Sequence, residues 1–164
     1  MKDLSLVLEN NKVLRSKCEV FNFVNPPFDP EKIKYNMIRA MIEQDGIGLA
    51  STQVGLTYQF FVSKIKGRER IYFNPVVKST EEQTLYKEGC LSFPGLYLDI
   101  KRPKRILASW FDEKGNLHTE YLDDLEARCF LHELDHLNGV LFIDKVSKLK
   151  RDIAERKRKK QNVF

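Results

Sequence analysis

The sequence predicts one domain in which two helices are combined with a series of short strands. Three observations predict it. The chain has 164 residues, 42% hydrophobic and 31% charged, enough for a single core. Between residues 58 and 122, short runs rich in aromatic and β-branched residues alternate with turn residues. Two further stretches, after Asp29 and after Asp123, carry helix-start signals. No internal repeat, linker or domain boundary interrupts the body.

Residues 1–28 are mixed, with room for a short helix or strand before Asn25-Pro26-Pro27 forces an extended turn. Asp29 is the expected N-cap of the first helix and Pro30 its first-turn residue. Ile33, Met37, Ile38, Met41 and Ile42 recur at helical spacing and read as a core-facing stripe. Gly46 to Gly55 is a loop of small residues without the spacing of a phosphate-binding fingerprint. Its glycines let backbone approach a ligand closely.

Strands are expected at Tyr58 to Val62 and Arg70 to Asn74, with Lys66-Gly67 turning between them and Asn74-Pro75 ending the second. Val76-Val77, Gln83 to Tyr86 and Leu96 to Ile100 read as further strands. Arg105 to Phe111 and Leu117 to Leu122 form a hairpin about residues 112–116. The second helix has Asp123 as N-cap, Glu126 completing a capping box and Gly139 as its stop. Val140 to Ile143 returns to the core.

That second helix carries the motif His132-Glu133-Leu134-Asp135-His136. Residues four apart share a helix face, so His132 and His136 can present two imidazoles to one metal ion. Glu133 is rotated about 100° from His132, where a general base for water would sit. Three groups compete to be the third ligand. A histidine six residues after the second is ruled out, because that position is Phe142. Glu155 is the only glutamate after Glu133, but it lies in a run of lysine and arginine and reads as a solvated face. Cys90, in Glu88-Gly89-Cys90-Leu91-Ser92-Phe93-Pro94-Gly95, offers a thiolate; with two imidazoles it suits a borderline divalent ion and leaves a position for water. Cys18 and Cys129 suit less well. Three cysteines form no disulfide framework and fit a reducing cytosol.

Three segments in this order, Gly46 to Gln53, Glu88 to Pro94 and His132 to His136, resemble the peptide deformylase family. The resemblance implies an α+β fold in one compact domain, with small antiparallel or mixed β-sheets packed around a central metal-binding helix. It implies hydrolytic removal of the formyl group from N-formylmethionine at the start of new polypeptides. Cys90, His132 and His136 would hold one divalent ion, commonly Fe2+, with Ni2+, Co2+ or Zn2+ as alternatives. Glu133 would take the proton of the water and pass it to the leaving amine. The Gln53 amide and the Leu91 backbone N–H would receive the oxyanion. Ile47, Tyr86, Leu125 and Cys129 are the expected lining of an apolar methionine slot, and the chain around Gly48 would pair with the substrate backbone. Asp135 and Glu88 are candidate acceptors for the outer N–H of the ligating histidines. Three positions depart from the family pattern: Ser51 for alanine, Leu131 for glutamine, and Arg128 where an apolar residue tends to stand beside the methionine pocket.

Charge adds one partner. Eight of the 28 basic residues fall between Lys148 and Lys160 with only two acidic ones, a local charge of +6 against +5 for the whole chain. The body is therefore nearly neutral. The sequence is divided into a catalytic domain over 1–147 and a basic, helical segment over 148–164, which is expected to contact ribosomal RNA through residues 148–160. Neither membrane nor DNA is an expected partner. No apolar run is long enough for a bilayer, and Met1 to Glu9 has neither a signal-peptide core nor transit-peptide character. The cytoplasm of a bacterial or phage-infected cell is the expected location. Two rival readings remain: a small zinc peptidase using Glu155, and a non-catalytic ribosome-associated module with a structural metal.

Overall fold

The computed structural model describes residues 4–161. Met1 to Asp3 and the last three residues of the basic segment lie outside them. A 3-10 turn at Lys12–Arg15 is the only regular structure before Pro30 among the described residues. Helix α1 spans Pro30–Glu43, β1 Gly48–Ala50, β2 Phe60–Ile65, β3 Arg68–Glu81, β4 Thr84–Cys90, β5 Phe93–Arg102, β6 Arg105–Phe111, β7 Leu117–Asp123, α2 Asp124–Leu137 and α3 Lys148–Gln161. Five strands form an antiparallel sheet in the order β1-β2-β3-β6-β7, and β4 pairs with β5 in a separate ribbon. The α+β expectation is met, and every strand pairing in both sheets is antiparallel.

Strand β2 of the five-stranded sheet is buried on both faces. Along β2, Phe60 and Val62 join a cluster with Ile33, Met37 and Met41 of α1, whereas Phe61 faces Ala127 and Phe130 of α2. Strand alternation thus sends one apolar run into two cores. A third cluster joins Leu96, Leu98 and Ile100 of β5 to Leu141, Phe142 and Ile143 beyond α2. Helix α2 is therefore held between the sheet and the ribbon.

The start of α1 agrees with expectation: Asp29 accepts hydrogen bonds from the backbone N–H of Glu31 (2.9 Å) and Lys32 (3.2 Å), with Pro30 at N1. Ile33, Met37, Ile38 and Met41 are buried, but Ile42 turns outward. The start of α2 differs. Asp123 is the N-cap residue, yet its side chain caps nothing and lies 3.4 Å from Arg105 across the β6–β7 ladder. Glu126 is drawn 2.6 Å from Arg68 instead of back to the cap. Both carboxylates have cations nearer than the helix end.

Strand β3 also overruns its expected end. Pro75 lacks an N–H, but it falls in a register shift between Phe73 and Val76, where the ladder asks nothing of it. Asn74, at φ 48°, pins the bulge by accepting from the N–H of Phe21 (2.8 Å) and donating to its carbonyl (2.9 Å). Residues 76–77 therefore belong to β3. The 83–86 and 96–100 strands are lengthened into β4 and β5, which close on each other just after Cys90.

Gly139 ends α2 as expected, at φ 71°. A Cβ there would stand 2.5 Å from the Arg15 carbonyl oxygen. Gly139→Ala is expected to lower unfolding free energy by about 2 kcal/mol, from left-handed strain plus that clash. Urea titration checks it, and an unchanged midpoint would refute it.

Candidate metal centre and active-site cleft

The sequence folds so that three distant segments meet beside α2. Helical spacing puts His132 and His136 on one face, both buried, with ring centroids 5.1 Å apart. The end of β4 brings Cys90 Sγ to 3.3 Å from His136 Nε2. The candidate ligand atoms of Cys90, His132 and His136 lie within 4.8 Å of one another. Their donor chemistry, one sulfur and two imidazole nitrogens, fits a borderline divalent ion with a coordination position left over.

His132 is oriented by Glu88, whose Oε2 lies 3.1 Å from Nδ1 and leaves Nε2 for the cluster. Glu88 also accepts from Arg102 Nε (2.7 Å) and Nη2 (3.1 Å) and from Arg128 Nη1 (2.5 Å). Asp135 does not reach a histidine. It binds Arg102 (2.8 Å) and Lys145 (3.1 Å), so it steadies Glu88 through Arg102 rather than a ligand directly. His136 Nδ1 has no hydrogen-bond partner among the described residues.

Burial acts to raise the Glu88 pKa, but the hydrogen bonds with His132 and Arg102 outweigh it and bring it down to about 2. A folded-state pKa below the unfolded value stabilises the fold above about pH 4.3, and that stability is lost as pH falls toward 2. Glu88→Gln should flatten this acid limb of a stability-versus-pH curve. A limb of unchanged steepness would show that Glu88 does not carry it.

Glu133 lies beneath β1. A Cβ on Gly48 would stand 2.4 Å from Glu133 Oε1 and 2.7 Å from Cys129 Sγ. The glycine is thus needed for backbone to pass over the carboxylate. Burial pushes the Glu133 pKa up, to about 7, against the lowering fields of His132 and Arg102. Its Oε2 has no partner among the described residues. A carboxyl poised near neutrality with a free oxygen can exchange protons with a ligand. Gln53 is fixed by its Oε1, which accepts from the Ala50 N–H (2.9 Å). Its Nε2 donates toward Ser92 Oγ (3.2 Å) and Cys90 Sγ (3.5 Å).

These groups open into a cavity of about 610 Å3 between the free edge of β1 and the β4–β5 ribbon. Every predicted site residue lines it except His136, which lies beneath: Gln53, Cys90, Leu91, His132, Glu133, Ile47, Gly48, Tyr86, Leu125, Arg128 and Cys129. Arg128 lines the wall but spends its charge elsewhere. It bonds Glu88 and the carbonyls of Ile100 and Thr84 (both 3.1 Å) and lies 5.3 Å from the Tyr86 ring centroid. Glu155 is remote from the cluster's chemistry, bound to Arg158 at 2.7 Å on α3. The third histidine, His118, stacks on Trp110 and bonds Asp112 outside the site.

Sequence reasoning missed Arg102 and Ser92. Arg102 was findable: the alternation Leu96, Leu98, Ile100, continued once, puts residue 102 on the inner face of β5. Nothing in the sequence singled out Ser92 as a partner of Gln53.

A buried HExxH helix, a cysteine sulfur at hydrogen-bond range of its second histidine and a carboxyl opening into a cleft are the parts of a metal-dependent hydrolase. The family model for polypeptide deformylase matches residues 4–152. The peptide deformylase of Rhizobium meliloti is 41% identical over 135 residues, 79% of this chain and 78% of the relative. That of Bartonella quintana is 39% identical over 162 residues, covering 95% and 91%. The crystal structure of the Synechococcus elongatus peptide deformylase in complex with actinonin superposes with a TM-score of 0.88 at 36% identity, covering 95% of this chain and 86% of that one. The Thermotoga maritima structure gives 0.84 at 34% identity, covering 90% and 99%. The chain belongs to the peptide deformylase family. It removes the N-terminal formyl group from nascent polypeptides, and no helix among its described residues is long and apolar enough to cross a membrane.

Proposed function

We propose that Cys90, His132 and His136 hold one divalent metal ion, Fe2+ natively, and that Glu133, Gln53 and the Leu91 N–H carry out hydrolysis of the formyl amide beside it. Zn2+, Ni2+ and Co2+ suit the same donors. When bound, the ion supplies Lewis-acid chemistry, polarising the formyl carbonyl and making water nucleophilic near neutral pH. Glu133 receives the proton that the attacking water loses and returns it to the departing amine. Gln53 Nε2 donates to the oxygen as it gains charge, and its locked orientation avoids reorganisation during the reaction. Glu88, Arg102 and Asp135 hold His132 in place. The products are formate and a free amino terminus.

Ile47, Gly48, Tyr86, Leu125, Arg128 and Cys129 form the wall that receives methionine. With Arg128 tied to Glu88 and the ribbon carbonyls, its stem and the Tyr86 ring face the substrate more than its charge does. The edge position of β1 supports backbone pairing with an extended peptide at Gly48. The observation that carries the reading is the cluster of half-buried Cys90 with buried His132 and His136, and Glu133 beside it.

Formate release from a short N-formylmethionyl peptide tests it, using protein purified without oxygen and loaded in turn with Fe2+, Ni2+ and Zn2+. Turnover with at least one ion is expected. Silence with all three would overturn the reading.

We also assign residues 1–147 to catalysis and the basic segment 148–164 to ribosome contact, in a bacterial or phage-infected cytoplasm. Its exposed Lys148, Arg151, Arg156, Lys159 and Lys160 support salt-sensitive phosphate contacts. Deleting 148–164 should abolish salt-sensitive ribosome binding; unchanged binding would remove this role.

A further inference from the structure

A second cavity, about 640 Å3, lies between α3 and the β4–β5 ribbon. It shares Lys87, Gly95 and Tyr97 with the catalytic cleft, so the two adjoin at those residues. Lys150, Ile153, Lys157 and Gln161 line its far wall at the spacing of a single helix face. The amines of Lys87, Lys150 and Lys157 make no ion pair or hydrogen bond among the described residues. Arg158, by contrast, is neutralised by Glu9 (3.0 Å) and Glu155 (2.7 Å) and fastens α3 down. Among the described residues, Asp99 is the only carboxylate lining the groove. Tyr97 stands at the junction, its ring across Gly89, where a Cβ would meet it at 2.8 Å. Tyr97 and Ile153 leave apolar surface exposed along the groove.

We propose that this groove binds the downstream part of the formylated substrate and favours acidic side chains there. The inference rests on the deformylase reading and names a substrate class within it. A peptide whose formyl end is at Cys90, His132 and His136 must leave the cleft along some wall. The ribbon side offers an adjoining groove with three ammonium groups that make no ion pair among the described residues. Carboxylates of the peptide meet those amines, while its backbone and apolar groups lie on Tyr97 and Ile153. Paired surface charges of this kind act chiefly on encounter and on KM, and salt screens them.

The test uses metal-loaded full-length enzyme and three substrates: uncharged formyl-Met-Ala-Ser-amide, and two amidated nonapeptides that extend it with either aspartate or lysine at several later positions. At low ionic strength the aspartate peptide should show about tenfold lower KM than the lysine peptide, with equal kcat. The difference should shrink in 0.5 M salt, where the Debye length falls to about 4 Å. Lys150→Glu/Lys157→Glu should reverse the order of the nonapeptides and leave the neutral tripeptide unchanged. Should that variant misfold, Lys150→Gln/Lys157→Gln should abolish the preference. Equal KM values for the two nonapeptides, or a preference that survives both double variants, would overturn the proposal. So would competition by short oligouridylate without any dependence on peptide charge, since the lysines would then serve RNA. If the tripeptide itself is not cleaved, the reaction assignment fails separately. The groove is then read by fluorescence anisotropy of the same nonapeptides labelled at the C-terminus, with the same order required.

Discussion

Glu133→Ala is expected to lower kcat by about 10²- to 10⁴-fold while metal content stays at one ion per chain. The side chain is 4% exposed, and its Oε2 has no partner among the described residues. It is not part of the Cys90, His132 and His136 cluster, so on the proposed mechanism its removal takes away the proton carrier and leaves the candidate ligands in place. The melting temperature should hold or rise, because a buried carboxyl with an unpaired oxygen costs stability. This combination distinguishes catalysis from structure. A structural metal site closes its coordination with protein groups and has no use for a base. Metal analysis, formate release and a thermal scan on one preparation are enough. Full activity in Glu133→Ala would sink the assigned mechanism.

Cys90→Ala should abolish stoichiometric metal binding and, with it, activity. Two imidazoles remain, but the thiolate is the only anionic member of the set, and its removal leaves a site selective for nothing in particular. The metal-dependent part of thermal stability should vanish as well, since an ion stabilises the fold only as far as it binds the native state. A peptidase using Glu155 would keep its metal in this variant. The geometry gives that alternative no support, because Glu155 is committed to Arg158 on α3. Metal retained at one per chain in Cys90→Ala would nonetheless refute the cysteine ligand.

How much was legible before folding depended on the range of the interaction. Asp29-Pro30 announced α1, and Gly139 announced the end of α2, because each acts on backbone within a few residues. The hairpin of β6 and β7 was legible for the same reason. Capping of α2 was misread because Asp123 and Glu126 have competing cations, Arg105 and Arg68, that only the sheet brings near. Pro75 was read as a strand end because its compensation, the Asn74 bonds to Phe21, comes from a segment 53 residues away.

The site divides along the same line. By itself the sequence determined the His132, Glu133 and His136 arrangement, since helix pitch alone sets it. Three segments in order also carried the family resemblance and so pointed to Cys90. Tertiary structure decided the rest. It set Cys90 beside a histidine 46 residues distant and passed Gly48 over the Glu133 carboxyl. It turned Arg128 onto Glu88, which sequence could show only as an unpaired charge near a pocket. It also laid α3 along the ribbon, setting a lysine-lined groove beside the catalytic cleft. Spacing along one helix is fixed by covalent geometry. Which buried charges meet is fixed by the packing of elements far apart in the chain, where each group takes the partner that best repays its desolvation.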